Sequence, residues 1–179
     1  LPVPERLWKL GTTTDERHTH LWWRVEDDAR VRAHQRATWL RALPPVPAEV
    51  IAGMVERTRA AVDKIRARGG EVVFVRPPSA PELWSFEERT VPRARGWDAL
   101  LARAGVQGVH YNDYAAMQGL ALPEDSHLSR ACATVFTDAY VRALAALTPR
   151  LPLIADAPPA LAPADCSPAG ASPGTERPR

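Results

Sequence analysis

The sequence predicts an α/β fold, a three-layer α/β/α arrangement in which parallel strands are flanked by helices. Two stretches with the same grammar and a closing helix carry that expectation. In the first, an amphipathic run over 48–68 meets Gly69-Gly70 and then Glu71-Val72-Val73-Phe74-Val75-Arg76, a short apolar, β-branched run ended by Pro77-Pro78. Continuous apolarity over so few residues reads as a strand covered on both faces, as in a parallel sheet. In the second, a helix over 93–104 with Trp97, Leu100 and Leu101 ends at Gly105, and Val106 to Tyr111 follows as another strand. Helix, glycine turn and buried strand make half of an α/β unit. A capped helix over 130–147 completes the pattern.

Taken in order, residues 1–25 read as irregular, with at most one short strand and turn chemistry at Gly11-Thr12-Thr13-Thr14-Asp15. A helix is expected from Glu26 to about Leu43. Glu26, Asp27 and Asp28 complement its positive end, Ala29, Ala33, Ala37 and Leu40 recur at helical spacing, and Pro44-Pro45 stops it. Over 48–68, Ile51, Met54, Val55, Thr58, Val62 and Ile65 form one stripe that should be buried. Residues 81–90 read as an acidic, aromatic loop or short helix. In 130–147 a wide apolar face runs from Cys132 through Val135, Phe136, Ala139, Tyr140, Ala143 and Leu144 to Leu147, and Ser129 is a good N-cap. Composition then shifts: eight prolines fall within 148–179. The expectation is one domain over 1–150 and a Pro/Ala-rich tail over 151–179, disordered from 156 onward.

A chain of 179 residues, 45% of them hydrophobic, suits one domain with a real core. Lys and Arg number 23 against 21 Asp and Glu, a near balance that argues against a nucleic-acid-binding stripe. No apolar run approaches the roughly 20 residues of a membrane span, and no signal-peptide pattern is present. Two cysteines, Cys132 and Cys166, argue against a disulfide scaffold or a zinc ribbon.

The sharpest chemical feature is Pro123-Glu124-Asp125-Ser126-His127-Leu128-Ser129, a loop leading into the last helix. A carboxylate three residues before a histidine can hold its Nδ1, fixing the tautomer and leaving Nε2 as a general base. The alternative is that Glu124 and Asp125 simply precede a helix N-terminus, with His127 exposed near the cap. Arg76 suits an anionic substrate or pairing with Glu82, Glu87 or Glu88. Asn112 and Asp113 suit a cleft or a turn. His18-x-His20 lacks a clear third ligand and reads as a polar loop more than a metal site. Trp22, Trp23 and Trp39 read as packing anchors more than sugar platforms.

From Gly69 to Leu147 the chain resembles the C-terminal half of an SGNH (GDSL-like) hydrolase. The resemblance rests on Val72–Val75 with Pro77 after it, Val106–Tyr111, Glu124-x-x-His127-Leu128, and the helix after Ser129. It implies a serine esterase or other acyl-ester hydrolase, or a carbohydrate O-acetyl transferase or deacetylase, with no cofactor. His127 would be its general base and Glu124, or Asp125 as second choice, would orient it. A small-molecule or carbohydrate acyl ester would be the substrate. The family's Gly-Asp-Ser nucleophile block and Gly-x-Asn triplet are absent, and the chain opens on Leu1. The expectation is therefore a fragment whose serine lies upstream; the rival is a non-catalytic binding or scaffold module that has lost the site.

Overall fold

The computed structural model describes residues 9–42 and 46–166. Its first element is one the sequence reading left irregular: β1 (Gly11–Thr13) and β2 (Thr19–Leu21) pair antiparallel, with Thr12 opposite His20. The Gly-Thr-Thr run expected to turn is thus strand, and the reversal falls at Thr14–His18, where Arg17 takes a φ of 66°. Leu21 packs with Val25 and Val31, tying the hairpin to the helices after it.

The helix expected over 26–43 is two. α1 (Trp23–Asp27) ends at Asp28, and α2 (Ala29–Ala42) begins immediately after. Asp28 is extended, and its carboxylate accepts the backbone N–H of Arg30 at 2.9 Å. It therefore closes one helix and opens the next, where the sequence placed it inside a continuous first turn. The Pro44-Pro45 stop and the side chain of Leu40 lie outside the described residues.

α3 (Ala48–Arg66) follows its expected span. Gly69, with φ of 76°, closes it, and the Gly70 N–H returns to the Ile65 carbonyl. The apolar stripe is the surprise. Val62 is 2% exposed, but Met54 is 53% and Ile65 44% exposed, so only part of the stripe meets the core. Val62 packs with Ala104, Val106, Phe74 and Leu101, because α3 lies along α5 (Ala99–Ala104) and turns the rest of its apolar surface outward.

β3 (Val73–Arg76) and β4 (Gln107–His110) form a parallel pair in which Arg76 lies opposite His110. Between them run α4 (Pro81–Thr90), a π-helical turn at Ala94–Asp98 and α5. Pro81 starts α4, where its missing N–H costs nothing. Among the described residues the protein is thus mixed α/β, predominantly helical, with one parallel pair and one hairpin. Successive residues of β4 face opposite ways. Val109 packs with Tyr111, Met117, Ala139 and Ala143, the last two on α6 (Arg130–Leu147). Gly108 lies against the Trp97 ring instead. A Cβ there would come within 2.6 Å of Trp97 Cζ2 and 3.0 Å of Leu101 Cδ2. Gly108→Ala is expected to destabilise the fold by about 1–3 kcal/mol, read as a lowered urea midpoint at unchanged m-value.

α6 matches its expected span, and Ser129 Oγ accepts the Cys132 N–H at its start. The tail corrects two expectations. Cys132 and Cys166 are joined in a disulfide, although their number and context argued against one. The stretch 156–166, expected to be disordered, lies on α6. The Leu161 N–H donates to Asp138 at 2.9 Å, Arg142 donates to the Pro158 carbonyl, and Leu161 packs with Leu120, Cys132 and Val135. Residues 167–179 lie outside the described part.

Candidate active site

The loop between Ala121 and Ser129 is pinned at both ends. The Ser129 N–H donates to the Ala121 carbonyl at 2.9 Å, and the Ala80 N–H, just beyond β3, donates to the Asp125 carbonyl at 2.8 Å. Asp125 holds φ of 75°. That left-handed turn lets the residues on either side, Glu124 and Ser126, approach one another.

Glu124 is fully buried. A buried carboxylate is tolerated only when donors surround it, and this one has four. Trp39 Nε1–H donates to Oε2 from α2, Ser126 offers its N–H at 3.3 Å and its Oγ–H at 2.9 Å, and His127 Nδ1 lies 2.9 Å from Oε1. The bond from His127 fixes its proton on Nδ1 and leaves the Nε2 lone pair available. Hydrogen bonding to Glu124 raises the His127 pKa above the ordinary histidine range, against the downward pull of partial burial. The ring also lies beside the Trp39 indole, centroids 5.9 Å apart.

Asp125, the second candidate to orient His127, is placed elsewhere: it pairs with Arg36 at 2.9 Å. Burial raises its pKa, with Arg36 opposing. Arg36 and Trp39 are three residues apart on α2, hence on one face. That face thus serves both acids, the guanidinium taking Asp125 and the indole Glu124. Trp39 is the contributor the sequence reading missed: eighty-five positions separate it from Glu124, and no local spacing signals the contact. Ser126 is bonded on the Nδ1 side of the imidazole (Oγ to Nδ1 2.7 Å), not at Nε2, so it supports the carboxylate and is not placed as a nucleophile.

His127 has 47% of its side chain exposed and lines a groove of about 930 Å³. Leu10 and Leu21 from the hairpin, Leu128 and Ala133 beside α6, and Leu161 from the tail form apolar walls; Thr134 and Thr137 add hydroxyls. His20 also lines it, whereas His18 does not. Among the described residues no three His, Cys, Asp or Glu side chains gather as a metal-ligand set. Every hydrogen bond of His127 to a described residue is made through Nδ1.

The other candidates are engaged structurally. Arg76 pairs with Glu87 at 2.5 Å and donates to Ser79 Oγ. Asp113 accepts a bidentate pair from Arg93 at 2.7 and 2.8 Å, and Asn112 lies in the short 3-10 turn after β4. No helix is long and apolar enough to cross a membrane among the described residues. No family model, curated protein or solved structure matches the chain.

Proposed function

We propose that this chain carries the acid–histidine half of an SGNH-like serine esterase. It acts on a small-molecule or carbohydrate acyl ester, with the nucleophilic serine supplied from outside the 179 residues. The observation that carries this reading is the buried Glu124 gripping His127 Nδ1 at the wall of the groove. Such a pair fixes the tautomer and stabilises the imidazolium that forms when Nε2 takes a proton. In the reaction, Nε2 accepts the serine hydroxyl proton as that oxygen attacks the acyl carbon, then delivers it to the departing alcohol oxygen. Water repeats the sequence on the acyl-enzyme: Nε2 takes its proton, the acid is released, and the serine recovers its hydrogen. The fold reading that accompanies this is a three-layer α/β/α domain. The contacts of Gly108 with Trp97 and of Val109 with α6, on opposite faces of β4, support it.

The test is hydrolysis of a chromogenic acetyl ester by the full-length natural protein. His127→Ala is expected to lower kcat by roughly 10³-fold or more. The acid limb of the kcat/KM profile should lie above about pH 6.5, because only the neutral imidazole is a base and Glu124 raises its pKa. Equal rates for wild type and variant would remove the catalytic assignment and leave the non-catalytic binding module.

A further inference from the structure

The carboxyl ends of β3 and β4 bring Arg76 and His110 side by side, the last residues of the two strands. In open α/β sheets, ligands gather outside the carboxyl ends of strands. A cavity of about 350 Å³ lies here, and none of the residues lining it lines the His127 groove. Its size falls at the lower end of small-molecule sites.

His110 is the informative residue. It is 1% exposed and is flanked edge-on by Trp84 and Trp97, with ring centroids 5.5 and 5.3 Å away. Its Nδ1 accepts the Asn112 backbone N–H at 3.2 Å, so in the neutral ring the proton resides on Nε2. Burial, helped by Arg93, lowers its pKa and keeps the ring neutral. Nε2 forms no hydrogen bond within the described protein, yet no described buried side-chain nitrogen or oxygen is both sealed and unpartnered. Since His110 lines the cavity, that is where its free N–H opens.

The charges around the cavity are already matched. Arg76 is held by Glu87, Arg93 by Asp113, and Glu88 accepts the Arg93 N–H at 2.7 Å. A charged ligand would have to break one of these pairs. The remaining wall is aromatic and aliphatic, with Trp84, Phe86, Trp97 and Leu100.

We propose that this cavity is a binding site for a small, neutral, planar ring bearing a hydrogen-bond acceptor, such as an aromatic amide. His110 Nε2–H donates to the acceptor, and the indoles of Trp84 and Trp97 border the ring. The site is independent of the esterase reading and stands or falls without it.

Benzamide is the probe and toluene, a ring without the acceptor, its control. Titration of the full chain, followed by NMR of the imidazole nitrogens and indole N–H groups, is expected to show saturable shifts at His110, Trp84 and Trp97. Toluene should bind about fivefold more weakly or worse, the worth of one net hydrogen bond. His110→Phe should bring benzamide down to the toluene level. Equal affinity of the two probes for the native chain would overturn the proposal even if that variant failed to fold. Absence of saturable shifts at His110, or shifts confined to His127, would overturn it as well.

Discussion

Glu124→Ala is expected to destabilise the protein by about 3 kcal/mol, because partly buried donors would lose the one acceptor they have among the described residues. Trp39 Nε1–H and the Ser126 N–H are the groups stranded, and α2 loses its indole link to the loop before α6. Urea unfolding reads the loss. Glu124→Gln separates chemistry from folding: it keeps the volume and one acceptor oxygen but presents an amide N–H₂ to some of the donors. On the esterase reading, that variant should lose about 10⁴-fold in kcat, since an amide does not stabilise the imidazolium.

The same variant has a signature that needs no substrate. Glu124 is the leading cause of the raised His127 pKa, and partial burial opposes it. In Glu124→Gln the His127 titration, followed through its ring protons, should therefore move down. The sign carries into stability. A folded-state pKa above the unfolded one contributes stability that is fully present below the unfolded value and disappears as pH rises through the folded value. The protonated pair thus supports the fold on the acid side of neutrality, and the penalty of Glu124→Gln should be larger near pH 5 than near pH 8. A penalty independent of pH, with an unmoved His127 titration, would deny the coupling.

Cys166→Ser is expected to have the second large effect. The disulfide closes a loop with a sequence separation of 34 residues, and chain entropy alone assigns such a loop about 3–4 kcal/mol. This variant leaves Cys132 in place, so its sulfur still accepts the Ala121 N–H. What it loosens is the tail, which is then held by the Leu161 N–H on Asp138, by Arg142 on the Pro158 carbonyl and by the packing of Leu161 on Leu120, Cys132 and Val135. Limited proteolysis should cut within 151–166 in the variant and spare the same stretch in the oxidised parent. Because Leu161 also lines the His127 groove, release should widen that groove on the α6 side.

The legible parts of the chain were those governed by neighbours in sequence. The α3 and α6 spans, the Gly69 and Gly105 stops, the Ser129 cap and the two short strands all follow from periodicity, chirality and capping, which act within a few residues. Glu124 three positions before His127 was legible in the same way, since a single turn can bring them together. Where local rules misled, a distant contact prevailed. The Gly-Thr-Thr turn became β1 because β2 supplied a partner, and the α3 stripe stayed half outside because α5 covers only one side of it.

Sequence alone determined the mixed α/β character, the loop that carries the acid and the histidine, and the apolar face of the last helix. Tertiary structure decided which acid meets the imidazole, because Arg36 draws Asp125 away while Trp39 holds Glu124. It also decided that the proline-rich tail lies on α6 as far as Cys166 and that His110 opens on a cavity. Each of those outcomes joins residues far apart in the chain, and burial energies of that kind are set by three-dimensional proximity, which spacing along a sequence does not encode.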